Sequence, residues 1–269
     1  LVNGWTLSVN NLDVSRNGNS WPDNSSIDID VINEESGLYQ LELSSSFIQL
    51  EDISPLLSIF PESNMISSWR DFSPFGQLID LNFYLHREIN IPWEYSLTGS
   101  FDGFGVLPNK QWPGIENLAG DIRANSGGGQ ASLRGSNVSI DLPVLFTEPF
   151  QSNEIAGVVN WWQQEGTLRI ATEKLIISNN HANSETSLDL LYPEDNESTS
   201  LNLTSSITDF DLSVLRNYLP QGILSPGAYT YLSEAFSEGH IKAGDINFSG
   251  PLKAFPFDGE EGKFEANLQ

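Results

Sequence analysis

Apolar and polar residues alternate along this chain in short runs, and most runs are bounded by Gly, Pro, Asn or Ser. Trp5, Leu7 and Val9 form the first run, followed by Ile27, Ile29 and Val31, and then Tyr39, Leu41 and Leu43. Ile79, Leu81, Phe83 and Leu85 continue the pattern, as do Trp93, Tyr95 and Leu97, and Val138, Ile140 and Leu142. Later runs are Leu168 with Ile170, Leu188 with Leu190, Leu201 with Leu203, and Ile246 with Phe248. Because successive side chains of a strand point to opposite faces, each run predicts an antiparallel strand with one apolar and one wet face.

Helical spacing is confined to three places. Residues 51–60 (EDISPLLSIF) and 211–219 (DLSVLRNYL) set apolar residues three and four apart, and each stops at a proline, Pro61 and Pro220. Residues 229–236 (YTYLSEAF) before Gly239 are the third. The order of elements recurs. Thr6 to Val9 matches Thr167 to Ile170 at an offset of about 161, and Ile27 to Ile29 matches Leu188 to Leu190 at the same offset. LELSSS from Leu41 answers LNLTSS from Leu201, and Asn82 with Phe83 answers Asn247 with Phe248. Strand, strand, strand, short helix, strand is therefore expected twice, as units that stack rather than close around one core.

The charge narrows the range of partners. Twelve Lys and Arg stand against 36 Asp and Glu among 269 residues, a formal net charge of -24. Phosphate neutralisation needs clustered cations, so nucleic-acid binding is disfavoured, and so is electrostatic adsorption to an anionic leaflet. With no Cys there is neither a disulfide framework nor a thiolate metal site. No apolar run reaches the roughly 18 residues a membrane helix needs. The chain opens on Leu1 without a signal sequence, which is expected of an excised or processed piece of something larger.

Candidate chemistry is sparse. His86, His181 and His240 have no metal-ligand spacing, and no G-x-S-x-G elbow marks a serine nucleophile. Gly127 to Gly129 in NSGGGQ lacks the Lys and Ser or Thr of a phosphate loop and reads as a hairpin turn. Asp28 with Asp30, Asp209 with Asp211, and Glu260 with Glu261 read as polar strand faces or solvated turns, while 194–197 offers at most a weak calcium site. No catalysis, cofactor or metal is expected. Among the tryptophans, Trp161 and Trp162 are adjacent and must point to opposite faces of a strand.

WPGIENLAGDI from Trp112, ASLRG from Ala131, LPVLFTEPF from Leu142 and IAGVVNWW from Ile155 stand in one order, followed by YLP from Tyr218, YLSEAFSEGHI from Tyr231, INFSGPL from Ile246 and FPFDGEEGKF from Phe255. This order resembles the central region of the YhdP-type members of the AsmA-like family of Gram-negative envelope proteins, over about 69–269. The resemblance implies a periplasmic segment of a long protein held in the inner membrane. It implies repeating β-groove modules, adjacent modules of the same longer chain as neighbours, and phospholipid moving towards the outer membrane.

The expected fold is mainly β, an open, twisted antiparallel sheet curled into a groove with a few short helices. Residues 1–100 are expected to form a first, partial repeat unit and 101–269 a second. The candidate lipid-facing residues are Leu7, Val9, Ile27, Ile29, Leu41, Leu43, Ile79, Leu81, Phe83, Tyr95, Leu97, Val138, Ile140, Leu168, Ile170, Leu188, Leu190, Leu201, Leu203, Ile246 and Phe248. An apolar sheet face has to be covered, and acyl chains can do so at about 0.8 kcal/mol per methylene withdrawn from water. Two alternatives fit the alternation alone: a carbohydrate-binding β-sandwich whose apolar faces cover each other, and a non-catalytic scaffold with a closed core.

Overall fold

The computed structural model describes all residues except 1, 35–37, 56, 58–63, 110–111, 195–197, 223, 236–237, 256, 258 and 260. In chain order the elements are β1 (Val2–Leu12), β2 (Ser15–Arg16), β3 (Asn19–Ser20), β4 (Ser25–Glu34), β5 (Tyr39–Gln49), α1 (Leu50–Ile53), α2 (Asn64–Phe72), β6 (Phe75–Arg87) and β7 (Glu94–Val106). They continue with β8 (Gly114–Asn125), β9 (Gly128–Gly135), β10 (Val138–Asp141), β11 (Phe150–Ser152), β12 (Glu154–Gln164), β13 (Thr167–Ser178), β14 (Asn183–Pro193) and β15 (Ser200–Asp211). A 3-10 helix (Leu212–Tyr218), α3 (Pro226–Ala235), β16 (His240–Pro251), a 3-10 turn (Leu252–Ala254) and β17 (Lys263–Leu268) complete the chain.

The fold is mainly β. Fifteen strands form one sheet in the order β1-β4-β5-β6-β7-β8-β9-β12-β13-β14-β15-β16-β17, with β10 joined to β8 and β11. All the recorded pairings are antiparallel, and β1 and β17 stand at the two ends of the order, so the ladder does not close into a barrel. The other sheet among the described residues is the four-residue β2-β3 hairpin. A sandwich needs two extensive sheets with facing interiors, and among the described residues there is one extensive sheet.

Contacts divide the chain into two compact units, Leu1–Val106 with Leu118–Ala131, and Leu107–Asn117 with Ser132–Gln269. In the first unit β1, β4 and β5 lead into helical segments and then into β6 and β7. In the second, β13, β14 and β15 do the same before β16 and β17. The registers run in parallel as well. Leu43 pairs with Ile29 and Phe83 in the first unit, and Leu203 pairs with Leu188 and Phe248 in the second. Two residues on along each middle strand stands a buried serine, Ser45 or Ser205, and each is hydrogen bonded: Ser45 Oγ to the Ser26 carbonyl at 2.9 Å, Ser205 Oγ to Thr186 Oγ1 at 2.8 Å.

The helices differ most from the sequence expectation. The helix foreseen over 51–60 is four residues long, because Pro55 has no N–H to donate and clashes with the preceding turn; of the rest, 56 and 58–60 lie outside the described residues. The stretch 211–219 winds as a 3-10 helix, with the Asp211 carboxylate accepting from Ser213 N at 2.9 Å. The Ser213 hydroxyl first, and then its backbone N–H, hold the Asp211 carboxyl below the usual carboxylate range. α3 starts three residues earlier than its apolar spacing suggested, with Pro226 in its first turn and the Ser225 hydroxyl accepting from Ala228 N at 3.2 Å. α2 was not foreseen, although Ile66, Trp69 and Phe72 stand three apart within it.

One glycine contact fixes the β6–β7 pairing. Gly76 has a φ of +102°, and a Cβ there would stand 2.5 Å from the Gly103 carbonyl oxygen. Gly103 also has a positive φ, +57°, but has open space around it. Gly76→Ala should therefore lower stability by about 3 kcal/mol, strain and backbone collision together, whereas Gly103→Ala should cost only about 1 kcal/mol. Chemical denaturation of the two variants checks the difference, and equal losses would show that the close approach does not constrain the pairing.

Candidate functional site: the apolar sheet faces

In the first unit the strand register gathers the candidate residues into rows running across the strands. One row is Leu7, Ile29, Leu43, Phe83 and Leu97, each paired directly with the next. A second is Trp5, Val31, Leu41, Leu85 and Tyr95. A third runs through Val9, Ile27, Ser45 and Leu81, and Ile79 lies beyond it, opposite Phe47. The reverse face carries Thr6, Asp30, Glu42, Tyr84 and Ser96 in one row and Ser8, Asp28, Ser44, Asn82 and Thr98 in the next. Side-chain bonds tie these polar rows together: Thr6 Oγ1 donates to Asp30 at 2.9 Å, Ser8 donates to Asp28, and Ser44 donates to Asn82 Oδ1 at 3.1 Å.

Among the described residues the apolar face of this unit is covered at the α1 end, and towards the other end Trp93 packs on Tyr39 with 5.6 Å between ring centroids and Val31 is buried. Phe47 meets the Trp21 ring at a centroid distance of 5.5 Å, and Trp21 Nε1 donates to Asp52 of α1 at 2.8 Å. Leu50 of α1 is buried with Phe47 and Ile48. The Glu51 carboxylate accepts from Gly76 N at 3.2 Å, fixing α1 against the start of β6. Leu81, one position in from Ile79, is only 6% exposed, and Ile79 itself is half-buried. Leu7 is 44% exposed, Trp5 54% and Tyr95 38%, while Ile29, Leu41, Leu43, Phe83 and Leu97 are half-buried. Half-burial by neighbours in the same sheet leaves a surface on which another apolar molecule can lie.

The second unit repeats the arrangement. Trp161, Ile170, Leu190 and Leu201 form one row, and Thr172, Leu188, Leu203, Phe248 and Phe264 the next. Ile246 pairs with Ser205 and Ala266, and Leu168 with Gln163 and Tyr192, all on the same face. Leu168, Ile170, Leu188, Leu190, Leu201, Leu203, Ile246 and Phe248 are half-buried. Thr172 Oγ1 is buried without a hydrogen-bond partner. The reverse face again is polar, with Ala171, Asp189, Asn202, Ser249 and Lys263 in one row and Thr204, Asn247 and Glu265 in another.

Val138 and Ile140 sit apart from these rows, on β10. Val138 pairs with Ser152 and is 0% exposed, so it has no free surface to offer a ligand. Ile140 stands between Ile115 and Phe150 and is half-buried. Trp5, Val31, Leu85 and Trp161 extend the rows beyond the residues singled out from sequence, and the alternation already contained their signal. Phe255 and Phe257, which also lie on the second face, had none.

Trp162 projects from the polar face, opposite to Trp161, with the Arg169 guanidinium 5.6 Å from its ring centroid. Arg169 forms a bidentate pair with Asp189 at 2.8 and 2.6 Å, and this hydrogen-bonded carboxylate raises the guanidinium pKa. Arg87 stacks on Trp93 at 4.9 Å in the same manner. These indole faces are already occupied by the chain's own cations, unlike an open sugar platform. His86 reaches Glu88 at 3.6 Å and His240 reaches Asp209 at 3.5 Å. Among the described residues no group of three His, Asp or Glu side chains is placed to hold a metal, and of 194–197 only Glu194 is described. Nor is any helix among them long and apolar enough to cross a membrane.

Compared with known proteins, the chain matches over residues 2–269 a family model described as YhdP protein. No curated protein and no solved structure matches it.

Proposed function

The chain belongs to the YhdP family, and from that membership we propose that its apolar sheet faces hold phospholipid acyl chains as one segment of a bridge between the two membranes of a Gram-negative envelope. Family membership supports lipid transport without catalysis. In this reading the segment lies in the periplasm, the anchor in the inner membrane belongs to another part of the longer protein, and neighbouring β-groove modules continue the path.

The observation that carries the reading is the pair of cross-strand rows in each unit, apolar throughout most of their length and left half-open. A 16-carbon tail laid over such a row gains on the order of 10 kcal/mol from burial. The headgroup keeps its water, so no charged pocket is needed. Because one row position resembles the next, a tail gains little by stopping at any of them, and it moves along the face without chemistry.

Native mass spectrometry of the chain purified from a Gram-negative host tests this directly. The expected spectrum contains the chain with co-isolated phospholipid, released when the activation energy is raised. Lipid-free protein, also after incubation with phospholipid vesicles, would overturn the reading.

A further inference from the structure

The apolar face of the second unit is half-buried at Ile170, Leu188, Leu190, Leu201 and Leu203, and at Phe248 of β16 it already has an occupant. The occupant is the chain itself. Between these two strands, Phe255 and Phe257 fold back onto the apolar face. Phe257 has its ring centroid 5.3 Å from that of Phe248, and Phe255 lies 5.7 Å from Phe248 and 5.8 Å from Phe264. The two rings meet edge to face at 5.7 Å. Phe248 and Phe264 are the last two members of the Leu188–Leu203 row, so Phe255 sits across its end.

Phe257 blocks the neighbouring row by a different device. Gly250 pairs with Leu201, at the position where that row would continue. A Cβ at Gly250 would stand 3.1 Å from Phe257 Cε1, and a side chain at residue 262 would collide with the same ring. Two glycines thus leave a cradle on β16 and its approach to β17, and the phenyl ring fills it. In the first unit the matching register position, opposite Leu41, is held by Leu85, whose own side chain completes the row.

We propose that Phe255 and Phe257 are a stop on the lipid face: they confine acyl chains to β13–β15 and set how far along the second unit a tail reaches. The inference rests on the lipid-holding reading above. A tail advancing beyond β15 has to displace two phenyl rings that are already half-buried against Phe248, so it exchanges one apolar contact for another and gains little by the move.

The test uses the whole chain with a photo-crosslinking benzoylphenylalanine at Leu203 or at Phe264, mixed with vesicles of phosphatidylethanolamine and phosphatidylglycerol. The wild-type background should give lipid capture at Leu203 and several-fold less at Phe264. In Phe255→Ala with Phe257→Ala, capture at Phe264 should rise to the level at Leu203, while capture at Leu203 stays constant and shows that the face is intact. Phe257→Leu, which keeps an apolar group over the glycines, should give a smaller rise. Equal capture at the two positions in the wild-type background overturns the stop and needs no variant to do so, as does an unchanged Phe264 signal in the folded double variant. Absence of capture at Leu203 as well as Phe264 would instead remove the lipid-holding reading itself.

Discussion

Leu81→Asp should leave the first unit unfolded, whereas Leu43→Asp should leave it folded and strip it of lipid. The two leucines lie on the same face of neighbouring strands, one row apart. Leu81 is 6% exposed, at the end closed by Phe47 and α1. An unpaired carboxylate there has no solvent and no cation to meet, a cost of about 4 kcal/mol or more, which is most of the roughly 5–15 kcal/mol that holds a domain together. Leu43 is half-buried, so its aspartate keeps contact with water and the fold loses only about 1–2 kcal/mol. A tail lying across Ile29, Leu43 and Phe83 would meet the charge directly. That is worth about 2 kcal/mol against binding, or roughly thirtyfold in occupancy. Thermal unfolding followed by circular dichroism, with lipid counted by native mass spectrometry, separates the two effects. A folded, lipid-loaded Leu43→Asp protein would show that the tails lie elsewhere.

Most of this face was legible in the sequence because alternation specifies it locally. Leu7, Ile29, Leu43 and Phe83 each sit in a run whose polar neighbours must turn the other way, so their common face follows from the pairing of adjacent strands. What alternation does not specify is register. By sequence Ile29 aligns with Leu190, yet the residue that pairs with Leu203 as Ile29 pairs with Leu43 is Leu188. A slip of two residues keeps every side chain on its face, so nothing in a period-two pattern opposes it. β8 and β12 were harder to read as strands, because the Gly and Ala residues of GIENLAGDIRAN and EIAGVVNWWQQ dilute the alternation.

Cover was even less legible. Leu81 and Leu43 look alike along the chain, and only the docking of α1 and Trp21 beside Phe47 makes one a core residue and the other a surface. Val138 shares the pattern of Ile140 and is wholly enclosed. The Phe255–Phe257 stop depends on glycines at 250 and 262 whose role appears only when the strands are paired. Sequence thus marked where the greasy side chains point. Which of them stay open was decided by short segments between the strands, which carry no periodic signal.

Affinity for lipid should follow tail length steeply and salt hardly at all. The central rows, Leu7 to Leu97 and Ile170 to Leu201, contain no Lys, Arg, Asp or Glu, so tail contact is the whole attraction. Each further buried methylene adds about 0.8 kcal/mol. Four of them, the step from a 12-carbon to a 16-carbon lysophospholipid, amount to about 3 kcal/mol and roughly two-hundredfold in Kd. The comparison needs lipid below its micelle-forming concentration, because a micelle pays the same increment to its own members and cancels the trend. Raising the salt from about 0.05 to 0.5 M shortens the screening length severalfold yet should shift Kd less than twofold. A Kd that weakened steeply with salt and ignored tail length would mean that headgroups meet charged side chains on the polar face, and the apolar rows would then be stabilising the sheet rather than carrying lipid.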